Sequence, residues 1–514
     1  MDYFIGIDIG TTSTKALAID TRGKTLGMQK QEYPVFSDIE GKHEEDPTVI
    51  FDAFVKVLAA VTGEVPPEYR LAGICFSAAM HGLLAVDEKG RPLTHLITWA
   101  DTRAKAASEA LKGTEAAGRI YQLTGTPIHP MSPLCKLIWL RSAFPEIFRL
   151  AHKFISIKEY VWYRLFGAFE VDQSIASATG LFDSIALTWS DLALTAAGIT
   201  ADRLSLPVPV IFQRQNLPEG FRQQLGIPAG VPFIIGAGDG CLANLGSGVV
   251  SPGEASVTIG TSGAVRVITP LWRPDPRERL FSYLLTDRVY VAGGAINNGG
   301  NILQWFTQLL KEDAGQLTTA QEDAGQSGVS PVTDLDALLT AAFSLPAGSG
   351  GLLFLPYLYG ERAPMWDPKA KGAFIGLRPQ HQRQHLLKAI TEGICYALYD
   401  IFNILEEGAG TINIVYASGG FTHTEAWIQQ LADVLNKPVC LNEEADASAT
   451  GAALLGMLSL GVLREINDAK QHIKAGKTFY PNKDHHEVYQ RCFTLYRSLY
   501  PVLKSTFEEL DTLF

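Results

Sequence analysis

The chain has 514 residues, of which 46% are hydrophobic and 19% charged, with a net charge of −11. That length exceeds what one hydrophobic core holds and predicts two domains of roughly 250 residues. The acidic balance, with no basic tail or Lys/Arg-dense stripe, argues against nucleic acid and anionic membrane as partners.

In chain order, residues 3–7 and 16–20 read as paired strands. Residues 47–61 have helical spacing, with Asp46 as N-cap and Pro47 at the first helical position. Residues 71–77 and 83–87 read as strands, and residues 136–142 and 158–166 as helices. A buried strand at 231–237 runs into Gly238-Asp239-Gly240, followed by a small-residue helix at 242–248. Past Pro252-Gly253, strands are expected at 255–259, 264–268, 281–285 and 289–292, then a helix at 301–310. A long helix at 385–407, a strand at 412–418, a helix at 425–435 and a small-residue helix at 447–460 complete the pattern. Strands alternating with helices define an α/β protein. Between about 311 and 350, Glu312-Asp313-Ala314-Gly315-Gln316 recurs as Glu322-Asp323-Ala324-Gly325-Gln326, which reads as a local duplication in a surface excursion.

Two hairpin turns share one chemistry. Asp8-Ile9-Gly10-Thr11-Thr12-Ser13 joins two apolar strands near the start, and Gly260-Thr261-Ser262-Gly263 joins two more past the midpoint. Glycines let backbone N–H groups approach an anion, and the hydroxyls add donors. Two such turns predict a duplicated domain gripping one polyphosphate from both sides, which makes phosphoryl transfer the leading reading. Asp8 beside phosphates makes sense if it holds Mg²⁺, largely through water. A turn-shaping Asp is the competing reading, and the second turn weakens it. Lys15 reads equally as a phosphate partner or as a lysine on a strand face.

Asp239 follows a fully apolar strand, where ligands of α/β proteins bind, and can accept the proton of an attacking hydroxyl. An Asx turn or helix cap remains open for it. Ala417-Ser418-Gly419-Gly420 suits close backbone approach to an adenine or an α-phosphate, or is an ordinary turn. Met80-His81-Gly82, Trp99-Ala100-Asp101-Thr102-Arg103 and Gly360-Glu361-Arg362-Ala363-Pro364 are polar or aromatic clusters able to hydrogen-bond and stack on a polyol. No HExxH, Cys/His cluster, GxxxxGK[ST] or GxSxG occurs. The six cysteines Cys75, Cys135, Cys241, Cys395, Cys440 and Cys492 show no CxxC spacing and read as reduced thiols of a cytoplasmic protein. No basic leader and no apolar run of bilayer-spanning length is found.

Together these motifs, in this order over residues 3–465, resemble the FGGY carbohydrate kinases of the actin-like ATPase superfamily. Gly372-Ala373-Phe374-Ile375-Gly376-Leu377 with His385-Leu386 and Ala389-Ile390 resembles the family's C-terminal signature, departing at Thr391. Gly125-Thr126-Pro127-Ile128-His129-Pro130-Met131-Ser132-Pro133-Leu134 is most similar to the gluconate kinases within the family. Gly240 and Ala100 stand where xylulose kinases usually carry other residues.

The resemblance implies two actin-like (ribonuclease H-like) domains, residues 1–249 and 250–514, with ATP and sugar in a cleft between them. It implies that Asp239 is the base acting on a primary hydroxyl, the 6-hydroxyl for D-gluconate, and that Asp8 holds Mg²⁺. Thr11, Thr12 and Ser13 would meet the β- and γ-phosphates, with Gly260 and Thr261 facing them. Gly300, Gln304 and Gly420 match the adenosine side, and Met80, His81, Trp99 and Asp101 the sugar side. A gluconate carboxylate needs donors, for which charge nominates Arg103, Lys136, Lys158 and Arg362, with salt bridges as the competing reading. The partner is a small sugar acid or polyol, and the family points to a homodimer. A kinase for a ketose such as xylulose, or a non-metabolic actin-like ATPase, are the alternatives.

Overall fold

A computed structural model describes residues 1–321, 335–442 and 446–513. The chain divides into two compact units. Unit 1 comprises Met1–Pro252, Val267–Ala292 and Glu443–Lys474, and unit 2 comprises Gly253–Arg266, Gly293–Asn442 and Ala475–Phe514.

Unit 1 is built on a six-stranded mixed sheet. Strands Asp2–Ile9, Ser13–Asp20 and Thr25–Glu32 form an antiparallel meander, and Arg70–Ala78 and Phe233–Gly238 extend it in parallel on the other side of Asp2–Ile9. The Asp2–Ile9 strand is apolar almost throughout and buried from Tyr3 on, as expected where both faces are covered. One cover is the helix Pro47–Glu64, started by Asp46, whose carboxylate accepts from Thr48 N–H at 2.8 Å. It sets Ile50, Phe54, Val57 and Val61 against the sheet together with Trp162 and Tyr160 of the helix Ile157–Phe166.

The other cover is the small-residue helix Ala447–Ser459, which lies against Asp2–Ile9 and against the helix Asp239–Gly246. A Cβ added to Gly6 would stand 1.9 Å from the Ala449 carbonyl oxygen, one on Gly246 1.8 Å from that of Ala447, and one on Gly451 2.0 Å from that of Leu242. The backbones touch only because these residues lack side chains. This packing fixes where the ends of Asp2–Ile9 and Phe233–Gly238 sit. A second apolar cluster, centred on Leu134, Leu137, Ile120 and Leu194, lies under the helix Pro133–Ala143.

In unit 2, strands Glu254–Ile259, Ile414–Ser418, Val439–Asn442 and Ala475–Phe479 run side by side in that order, the first three parallel. The helix Arg383–Ala409 is buried along most of its length. Thr391, the departure from the family signature, is fully buried there, and its hydroxyl donates to the Lys388 carbonyl at 2.9 Å. The closing helix Lys483–Leu513 has no counterpart in the sequence reading.

The expected elements form with small shifts of their ends. Two differences matter. The helix after the Gly238 strand begins at Asp239 itself, three residues earlier than the spacing indicates, because Gly238 supplies the N-cap. The helix expected at 301–310 runs Gly300–Gln321, so the first Glu-Asp-Ala-Gly-Gln copy continues a helix, while the second lies outside the described residues.

Candidate active site

Unit 1 places Asp8 and Asp239 at the carboxyl ends of two parallel strands that flank Arg70–Ala78. Asp8 is in register with Ser77, and Ser77 with Ala237, two residues before Asp239. The register slips between Ile234 and Ala237, where Gly236 takes φ +77°. A Cβ there would lie 1.7 Å from the Phe76 carbonyl oxygen, so only glycine allows this bulge. Asp8 is 8% exposed, and its Oδ1 accepts from Ser77 Oγ at 2.7 Å. Burial, reinforced by the charges of Asp446 and Asp239, pushes its carboxyl up to about 7. Asp239 stands at the first turn of its helix, half-buried, its Oδ1 accepting from the Gly240 N–H at 2.6 Å. Gly238 leaves room for Met80, whose sulfur would be 2.7 Å from a Cβ at that position.

Lys15 is neither free on a strand face nor aimed at solvent alone. Its ammonium bonds Asp446 Oδ2 at 2.5 Å, and Asp446 also caps the Ala447–Ser459 helix through Ala449 N–H. Asp446 carries no motif in the sequence. It becomes visible only because the chain returns to unit 1 after residue 442.

The first turn is tight, with Gly10 N–H bonded to the Ser13 carbonyl at 3.0 Å. Thr12 is exposed, Thr11 half-buried and Ser13 buried. Trp99 Nε1 donates to Thr11 Oγ1 at 3.0 Å, which ties the Trp99 loop to this turn. His81 holds φ +66°, with Nδ1 2.7 Å from the Ala178 carbonyl oxygen. Its Nε2 lies 3.4 Å from Tyr283 Oη, and the two rings meet edge-on at 5.5 Å. Tyr283 also lacked a sequence signal, since it sits in an ordinary apolar strand.

Asp101 is 1% exposed and its oxygens are taken by His43 N–H at 2.9 Å and by Arg103. Arg103 also bonds Glu44 at 2.5 Å and lies over the Trp139 ring at 4.6 Å. Two nominated cations prove to be interior groups. Lys158 is 1% exposed, bonding Asp172 at 2.8 Å and the Ala237 carbonyl at 2.7 Å. Lys136 is fully buried and donates to the carbonyls of His81 (2.6 Å), Ile97 (3.3 Å) and Thr98 (2.6 Å). Its three N–H donors are thereby used, and burial pushes its ammonium down to about 7. Neither lysine is placed to meet a substrate carboxylate.

Unit 2 gathers the second turn with two glycine-rich segments. Gly300 N–H donates to the Gly260 carbonyl at 2.7 Å, and Gly299 and Asn301 N–H groups to that of Thr261, each at 3.2 Å. The start of the Gly300–Gln321 helix is thus docked on the turn, with Gln304 exposed one turn further on. Thr258 Oγ1 and Ser418 Oγ are 2.9 Å apart, and Gly419, at φ +99°, runs so close to the Ile259 carbonyl that a Cβ would be 2.5 Å from its oxygen. Gly260 and Gly420 differ from these. A Cβ on either meets nothing within 4 Å. Protein packing does not require these two glycines, and the backbone beside them is open.

Glu361 is 1% exposed and accepts from Asn297 N–H at 2.6 Å, Asn298 Nδ2 at 3.0 Å and Arg362 N–H at 2.8 Å. Burial pushes its carboxyl up to about 7. Arg362 donates to the Ile296 carbonyl at 2.9 Å. Among the described residues, no three His, Cys, Asp or Glu side chains converge as a direct metal-ligand set, and no helix is long and apolar enough to cross a membrane.

An α/β chain with two Gly/Thr/Ser hairpin turns, and two carboxylates at the ends of strands either side of a shared neighbour, fits the phosphoryl-transfer class. Comparison with known proteins makes the class specific. The N-terminal domain model of the FGGY family of carbohydrate kinases matches residues 3–246, and the C-terminal domain model residues 255–460. Gluconokinase of Bacillus subtilis (strain 168) is 38% identical over 509 residues, covering 99% of this chain and 97% of the relative. A crystal structure of gluconate kinase from Lactobacillus acidophilus matches with a TM-score of 0.91 at 33% identity, covering 99% of both chains. A ligand-bound structure from the same organism, described as a xylulose kinase, matches with the same TM-score and identity, covering 99% of this chain and 100% of that one. The chain belongs to the FGGY family of carbohydrate kinases. It is an ATP-using enzyme acting on a small carbohydrate, with the two-domain, mixed α/β, actin-like fold of the sugar kinases.

Proposed function

We propose that the protein transfers the γ-phosphoryl group of ATP to the 6-hydroxyl of D-gluconate, giving 6-phospho-D-gluconate. The observation that carries the choice of acceptor is the 38% identity to a gluconokinase over 99% of the chain. The sequence around Thr126 to Leu134 supports it.

Asp239 is the general base. Its position just past a strand end, half-buried at the first turn of its helix, supports approach of a hydroxyl. It accepts the proton as the hydroxyl oxygen attacks phosphorus, and the ADP oxygen leaves in line. Thr11, Thr12 and Ser13 donate to the β- and γ-phosphates, as do the backbone groups of Gly260 and Thr261. Gly300, Gln304 and Gly420 serve the adenosine.

Asp8 suits a hard divalent cation. Its carboxylate is pushed toward neutrality by burial and then by two further carboxylates, with Lys15 the cationic group that counters them. Mg²⁺, held there largely through water, would neutralise phosphate charge and so favour the transfer. Met80, His81, Trp99, Asp101 and Arg103 form the sugar side. Residues 1–249 carry the sugar side, the first turn and the base, and residues 250–514 the second turn and the adenosine side. The free cysteines, five of them buried, fit a reducing cytoplasm.

A coupled ADP assay across D-gluconate, D-xylulose, L-xylulose, L-ribulose, glycerol and L-fuculose tests the acceptor. Strong preference for D-gluconate is expected. Preference for a ketose would overturn the acceptor while leaving the kinase chemistry in place.

A further inference from the structure

The fully buried Lys136 is a charged group that the proposed chemistry leaves unused. A lysine is almost never fully buried unless its charge is met by partners. Here the partners are three backbone carbonyls, and they come from two separate loops. One carbonyl belongs to His81, and the others to Ile97 and Thr98, directly ahead of Trp99. His81 and Trp99 are the side chains that face the sugar in the proposed reading. Each has a further anchor elsewhere, His81 on Ala178 and Tyr283, and Trp99 on Thr11 of the first turn.

The backbone at His81 needs such a clamp. His81 is a non-glycine residue at φ +66°, a conformation that persists only when its surroundings impose it. Lys136 itself sits in the first turn of the helix Pro133–Ala143, capped by Ser132 through Cys135 N–H. That helix carries Leu134, Leu137 and Leu140 into an apolar cluster, so the ammonium is held by a rigid element. The charged groups around it are Asp101 and Arg103 on the Trp99 loop.

We propose that Lys136 is a positioning residue for the acceptor: its ammonium pins the His81 and Thr98 carbonyls and thereby sets the His81 and Trp99 side chains against the sugar. The inference rests on the reading of these two side chains as the sugar side. It assigns Lys136 no contact with substrate.

The test is Lys136→Met, which keeps length and apolar volume and removes all three donors. With D-gluconate and ATP as the probes, KM for D-gluconate is expected to rise about tenfold or more. KM for ATP and kcat should each change by less than about threefold. An equal rise in both KM values, or no rise in either, overturns the inference. If Lys136→Met does not fold, Lys136→Gln, which retains an N–H donor, is read by the same pair of KM values. Failure of both variants to fold means that the lysine serves the fold and not the acceptor, which also overturns it. His81→Ala separates this inference from the reading beneath it. A raised D-gluconate KM in His81→Ala with none in Lys136→Met sinks the Lys136 role alone. An unchanged KM in His81→Ala sinks the sugar-side reading and this inference with it.

Discussion

The two aspartates at the strand ends differ in what the protein asks of them. Asp8 is buried, bonded to Ser77 and pushed toward neutrality, whereas Asp239 is half-buried and accepts from the Gly240 N–H of its own helix. In the proposed reading the first holds a cation and the second takes a proton from substrate. Asp239→Asn keeps the shape and an oxygen for the Gly240 N–H but cannot take a proton. It should lower kcat by at least about 10³-fold while the ATP dissociation constant, read by calorimetry, stays within about threefold. Near-normal turnover would end the base assignment. Both aspartates were legible as candidates because each follows an apolar strand directly and precedes glycine-rich backbone. Asp446 and Tyr283 were not, because nothing local marks them and only the fold brings them to Lys15 and His81.

At the scale of elements, glycines divide into two kinds that the sequence does not separate. Gly6 exists for packing, because the strand Asp2–Ile9 and the helix Ala447–Ser459 touch through their backbones. Gly260 and Gly420 face open space. Gly6→Ala is therefore expected to lose about 1–3 kcal/mol in urea denaturation, since the strand must move to admit a methyl group. Gly260→Ala and Gly420→Ala should stay within about 0.5 kcal/mol of the parent. Their effect should fall on the nucleotide, with KM for ATP rising about tenfold if a phosphate or adenine lies against that backbone. Unchanged KM for ATP in both would count against the second turn as a nucleotide contact. Helix starts followed the same logic of local and non-local causes. The N-cap of Pro47–Glu64 was readable from Asp46-Pro47, while the early start at Asp239 followed from Gly238 and a bulged register at Gly236.

Over the whole molecule, several buried carboxyls are held above their ordinary range, among them Glu45, pushed to about 8, and Glu159, Glu361 and Glu392, each to about 7, with burial the largest cause. Such a group is protonated in the folded chain and ionised in the unfolded one between about 4.5 and 7. The folded state then binds the extra proton, so this contribution to stability is full below that window and is lost as pH rises through it. Glu361→Gln should flatten the fall of stability between pH 5 and 7 by up to about 1.4 kcal/mol per pH unit, measured by denaturant titration at each pH. An unaltered pH slope would show that the Asn297, Asn298 and Arg362 donors keep Glu361 ionised.

The sequence by itself determined the α/β class, the order of the elements, the two turns and the family, because apolar period, turn chemistry and motif order are local properties of the chain. Tertiary structure decided the rest. It turned Lys136 and Lys158 from candidate anion donors into buried ties, since a charge says nothing of which carbonyls or carboxylates will surround it. It also returned Asp446 to the first unit beside Lys15, and separated glycines that pack from glycines that leave space, because both depend on segments hundreds of residues apart meeting in register.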